Sequence, residues 1–131
     1  MINTLITHIK YGVGLIKHSV RDIRIKTKRS SKWSALEKSF KKQFPTCACC
    51  RTNKKVQIHH IVPFHVSPEL ELEPTNLISL CMSKRMCHLQ IAHCGSFRKW
   101  TENIRQYASI LSKDISKYNE IVKLSKESAK T

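Results

Sequence analysis

The chain has 131 residues and carries 24 Lys and Arg against 9 Asp and Glu, a formal net charge of +15. That length suits one compact domain and hardly two. A charge so one-sided points to a polyanionic partner, nucleic acid before an anionic membrane surface.

The N-terminus, MINTLITHIKYGVG, has no continuous apolar core, no stretch long enough to span a bilayer and no small-residue cleavage signal. Apolar positions at Ile2, Leu5, Ile9, Val13, Ile16, Val20 and Ile23 recur at threes and fours, so residues 1–23 are expected to form an amphipathic helix, weakened by Gly12 and Gly14. It packs on the domain or on a second subunit. Residues 24–32, RIKTKRSSK, read as a basic linker or phosphate-contacting arm. A helix over 33–43 follows, with Trp33, Leu36 and Phe40 on its apolar face, Ser31 or Ser34 as its cap and Pro45 as its stop.

The segment 56–62, VQIHHIV, alternates and is β-branched, so it reads as a strand ended by Pro63. Three prolines make 63–75 an irregular loop. Leu77 to Leu80 forms a second short strand running into Cys81, 82–86 is a basic turn, and a helix begins near Cys87 and ends before Gly95. Over 101–124, Ile104, Ala108, Leu111, Ile115, Tyr118 and Val122 predict one continuous helix, followed by a disordered tail. The divisions are thus 1–30, 31–100 and 101–131.

Six cysteines sit at 47, 49, 50, 81, 87 and 94. Without a secretory signal they read as thiols of a reducing, cytoplasmic compartment that serve as metal ligands. Cys47-x2-Cys50 precedes the first strand and Cys81-x5-Cys87 follows the second, so closing the hairpin brings two pairs together as a four-thiolate zinc site. Cys49 is an alternative partner and Cys94 a spare. Between the pairs lies His59-His60. Neighbours on a strand point to opposite faces, so one site can use both only if the strand bends or bulges there. His93 lies five residues after His88, about 140° away on an ideal helix, and joins His88 only through a distorted turn. His65 stabilises the loop. Glu71 and Glu73 read as structural, and Trp33 and Trp100 as packing residues.

The stretch PTCACC…VQIHHIVPFHVSPELELEPTNLISLC…CHLQIAHCGSFRKW resembles the zinc-containing HNH endonucleases, particularly those of phages and prokaryotes, over roughly residues 30–100. The resemblance implies an α+β fold with a ββα-metal (HNH/His-Me finger) core, a four-cysteine structural zinc and flanking N- and C-terminal helices. It implies that His60 is the general base and that His59, where many members have Asp, ligates the catalytic ion. Asn76 matches the central Asn, which orients loop and base or helps hold the metal. His88 matches the final His, a metal ligand, with His93 a candidate third. Cys47, Cys50, Cys81 and Cys87 match the structural zinc ligands. The five residues between Cys81 and Cys87 depart from the two that are common in the family.

The implied activity is metal-dependent hydrolysis of DNA, double-stranded by expectation, by nicking or double-strand cleavage. An imidazole serves as base, and one divalent ion (Mg2+, Mn2+, Ni2+ or Zn2+) serves as Lewis acid. Imidazole ligands shift the preference away from Mg2+. Lys28, Arg29, Lys54, Lys55, Lys84, Arg85, Arg98 and Lys99 are the candidate phosphate contacts. The expected location is cytoplasmic, the host's if phage-encoded, with no membrane partner. A homodimer is the simple route to a double-strand cut. The competing readings are a non-catalytic zinc-containing nucleic-acid-binding module and a nuclease toxin.

Overall fold

A computed structural model describes residues 28–131. The expected helix over 1–23 and most of the basic linker lie outside those residues. Residues 31–131 form one unit of α+β architecture. Its elements are α1 (Trp33–Gln43), β1 (Val56–His60), β2 (Leu77–Cys81), a π-helical turn (His88–Ala92), α2 (Ile104–Lys113) and α3 (Tyr118–Glu127).

The two strands pair antiparallel with Val56 opposite Cys81 and His60 opposite Leu77. Side chains alternate across a pleated strand, so the hairpin has two working faces. Ile58 and Leu77 pack with Phe40, Trp33 and Leu36 of α1 on one face. Ile78 and Leu80 occupy the other face, in a larger core with Ile91, Ile104, Leu111 and Ile121. The loop between the strands is irregular, with short 3-10 turns at Pro68–Leu70 and Pro74–Asn76.

Several expectations need correction. Neither Ser31 nor Ser34 caps α1; Lys32 occupies that position, and its side chain makes no cap hydrogen bond. The helix expected over 101–124 is two helices. Asp114 is extended, and its carboxylate accepts from the backbone N–H of Ser116, starting a new turn at Ile115–Lys117. A short Asp side chain competes well for local backbone donors, and apolar periodicity does not register that competition. The tail is not disordered. Lys123 to Glu127 lie in α3, and Lys130 pairs with Trp100 through two backbone hydrogen bonds of 2.8 and 3.1 Å. No described helix is long and apolar enough to cross a membrane.

Leu111 is 1% exposed whereas its neighbour Ile110 is 39% exposed. Leu111→Ala should therefore lower stability by about 2–5 kcal/mol, and Ile110→Ala by about 0.5 kcal/mol or less, in denaturant titrations.

Candidate metal centre

The first cysteine pair sits on a tight knuckle. The Arg51 N–H donates to the Cys47 carbonyl at 2.9 Å and the Cys47 N–H to the Thr52 carbonyl at 2.8 Å. Arg51 takes a left-handed φ of 66° to close the turn. Ala48 donates to the Ser79 carbonyl at 2.9 Å, fixing the knuckle to β2. On the other side, Cys81 ends β2 and the longer turn to Cys87 closes through Met86, whose φ is 49°. The Tyr118 hydroxyl, from α3, donates to the Arg85 carbonyl and anchors this turn. Five intervening residues thus still deliver Cys87 to the first pair.

The sulfurs of Cys47, Cys50, Cys81 and Cys87 lie within 4.8 Å of one another. Cys50 and Cys81 are 3.6 Å apart, close to the ~3.8 Å edge of a tetrahedron with Zn–S bonds of ~2.3 Å. Cys49 is fully buried beside them. The neighbouring thiols of Cys49 and Cys87 lower the pKa of Cys47, and that of Cys87 is raised in turn. Burial is the leading cause that pushes Cys50 up to about 11. A thiolate already favoured at Cys47, ringed by three further sulfurs, is a donor set suited to zinc. Cys94 stands apart, its thiol pointing to the Ile91 carbonyl at 3.7 Å.

The second group comprises His59, His88 and His93, whose candidate ligand atoms also lie within 4.8 Å of one another. Its construction depends on the turn after Cys87. The helix expected there is a π-helical turn, closed by the His93 N–H donating to the His88 carbonyl at 3.0 Å. An i→i+5 hydrogen bond widens the turn and returns the fifth residue to the side of the first. The rings of His88 and His93 are 4.9 Å apart, and each lies 4.9–5.0 Å from His59.

Oxygen acceptors set two of the three tautomers. His88 Nδ1 donates to Gln57 Oε1 at 2.9 Å, and His93 Nδ1 donates to the Lys99 carbonyl at 2.8 Å. Each lone pair therefore lies at Nε2, and such partners orient ligating imidazoles generally. His59 Nδ1 is 3.1 Å from His88 Nε2, near the ~3.3 Å that separates two nitrogens ~2.05 Å from a tetrahedral ion. His59 Nε2, the other ring nitrogen, is buried without a hydrogen-bond partner. Burial first, then the charges of His88, His93 and His60, holds the His59 pKa far below its usual range. Burial and His93 bring His88 to about 4, and burial lowers His93. All three are neutral at neutral pH, the form that binds a metal. The donor chemistry of both groups thus fits a metal ion.

His60 does not join this group. No bulge forms; the ladder stays regular to His60, and the Ile61 N–H continues it by donating to the Asn76 carbonyl at 2.8 Å. The pleat sends His60 to the α1 face, where its ring lies 4.5 Å from Trp33. His60 Nε2 donates to the Glu71 carbonyl at 3.0 Å, which places the lone pair of the neutral ring at Nδ1. Asn76 is a clamp: its amide accepts from the Val62 N–H at 2.9 Å and donates to the Val62 carbonyl at 3.0 Å. It contacts backbone and is outside the imidazole group. His65 packs edge-on against Trp100 at 5.9 Å, and the Glu73 carboxylate accepts from Thr75.

Gln57, the carbonyls of Glu71 and Lys99, and Phe97, whose ring lies 4.9 Å from His93, escaped the sequence reading. Gln57 was within reach of it, since residue 57 shares a strand face with His59. Lys28, Arg29, Lys54, Lys55, Lys84, Arg85, Arg98 and Lys99 are all exposed. A cleft of about 990 Å³ between α1, the first knuckle and α2 holds none of the histidines.

No protein family, curated protein or solved structure matches this chain.

Metal analysis of purified protein checks both groups. Cys81→Ser or Cys87→Ser should lose the tightly held ion and lower the thermal midpoint, while Cys94→Ser should keep both. In cobalt titrations, His93→Ala should abolish a second binding step and spare the thiolate-to-cobalt absorption of the first.

Proposed function

We propose that this protein is a metal-dependent endonuclease with an HNH-type ββα-metal core. The observation that carries the reading is the contrast between the two donor groups. Four sulfurs make a closed set, as in structural zinc sites, whereas three imidazoles leave a coordination position for water or substrate, as in catalytic ones. In this reading the hairpin and the π-helical turn are the two strands and the helical part of the core.

The net charge of +15 supports a polyanionic substrate, because a cationic surface concentrates nucleic acid and contacts its phosphates without reading sequence. DNA is the substrate proposed.

His59, His88 and His93 would hold the divalent ion, which when bound supplies Lewis-acid stabilisation of charge on the phosphate and leaving oxygen. His60 takes the proton from the attacking water at Nδ1. The Glu71 carbonyl holds the ring in the tautomer this needs and stabilises the charge that develops on it. A neutral base beside a phosphodiester also escapes the repulsion a carboxylate would meet. Asn76, by clamping Val62, fixes the chain that leaves β1 just after His60.

Supercoiled plasmid incubated with protein and Mg2+, Mn2+, Ni2+ or Zn2+ tests the reading. Relaxed or linear DNA should appear with at least one metal. His60→Ala should cut about 100-fold more slowly or worse while retaining its metal. Binding without cutting under every metal would leave a nucleic-acid-binding zinc module, and a fully active His60→Ala would remove the proposed base.

A further inference from the structure

Phe97 is the most exposed of the large apolar side chains among the described residues, at 59%. Single exposed apolar residues are ordinary on protein surfaces; the position of this one is not. Its ring centroid lies 4.9 Å from that of His93 and 6.0 Å from that of His88, at the rim of the imidazole group. Its backbone is held in place. The Ser96 N–H donates to the His93 carbonyl at 2.8 Å, and the Lys99 N–H donates to the Ser96 carbonyl at 2.8 Å. The same turn supplies the Lys99 carbonyl that orients His93. Arg98 and Lys99 follow directly, both exposed.

A fixed aromatic ring with cations beside it matches the way proteins hold unpaired bases: the base stacks on the ring while cations track the phosphates. Within a duplex each base is already stacked on its neighbours and must be extruded before it can reach such a ring. The ring of Trp33 lies against that of His60, 4.5 Å away, and not against the imidazole group. Phe97 belongs to none of the buried clusters that form the core.

We infer that Phe97 is a base-stacking platform beside the imidazole group, and that the site acts on a nucleic-acid strand with an unpaired base at the cut. The inference rests on the nuclease reading for the cut and is separable from it for binding. Phe97 positions substrate and takes no part in the bond-breaking step.

The test uses the full chain and fluorescein-labelled deoxyoligonucleotides, one single-stranded and one the matching blunt duplex. Binding is read by anisotropy in a His60→Ala background to prevent cutting. Phe97→Ala and Phe97→Leu should weaken single-strand binding about fivefold or more, Phe97→Trp should restore it, and duplex binding should change by less than about twofold, with metal content unchanged. The inference is overturned if Phe97→Leu binds the single strand as tightly as Phe97. It is equally overturned if both substrates weaken alike, or if Phe97→Ala sheds the imidazole-held metal, which would make the ring a cover for the ligands. Phe97-dependent single-strand binding by a protein that cuts no DNA with any metal supports the platform and removes the nuclease reading alone.

Discussion

The stretch from Cys87 to His93 belongs to both candidate metal groups at once. Cys87 completes the four sulfurs, His88 is the next residue and opens the imidazole group, and His93 closes it. A single peptide bond links a buried thiol to a half-buried imidazole, so whatever fixes Cys87 also fixes His88. The widened turn does the rest. An α-helical turn would carry the fifth residue far round the axis, whereas the hydrogen bond from His93 to the His88 carbonyl brings it back. A π-helical turn is a departure from the preferred backbone that tends to occur at functional sites, and here it is what lets two histidines of this spacing face a third on β1.

The hairpin imposes a division of labour. Its pleat sends Gln57 and His59 toward the π-helical turn and Ile58 and His60 toward α1. One face therefore carries the imidazole group together with Gln57, which sets the tautomer of His88. The other carries a single histidine against Trp33, with its tautomer set by the Glu71 carbonyl. In the proposed mechanism the proton-accepting nitrogen and the metal thus have separate anchors, so one can be altered without collapsing the other. Asn76 stands at the end of the loop, just before β2. Its two hydrogen bonds to Val62 clamp the chain just after it leaves β1.

Much of this was legible in the sequence because it depends on short-range periodicity and punctuation. The helix over 33–43 shows its apolar spacing and its proline stop, the strand around His59 shows β-branched alternation, and Leu77 to Leu80 shows a short apolar run into Cys81. The clustering of Cys47, Cys50, Cys81 and Cys87 follows from their placement at the two ends of one hairpin. The break at Asp114 was hidden because Ile115 and Tyr118 continue the apolar spacing across it, while the cause is one carboxylate taking a nearby backbone donor. The polar composition of the tail says nothing of the backbone pairing between Lys130 and Trp100. Spacing alone left His93 open, since it joins His88 only through a distorted turn; in the π-helical turn Ile91 and Ala92 pack into the core while the two histidines face His59.

Anomalous diffraction at the metal edge from metal-loaded crystals tests the central claim most directly. The account predicts two peaks, one among the sulfurs of Cys47, Cys50, Cys81 and Cys87, and one bound by His59, His88 and His93 with a position left for an exogenous ligand. A single peak at the sulfurs, or a second peak with His93 turned away from it, would contradict the account.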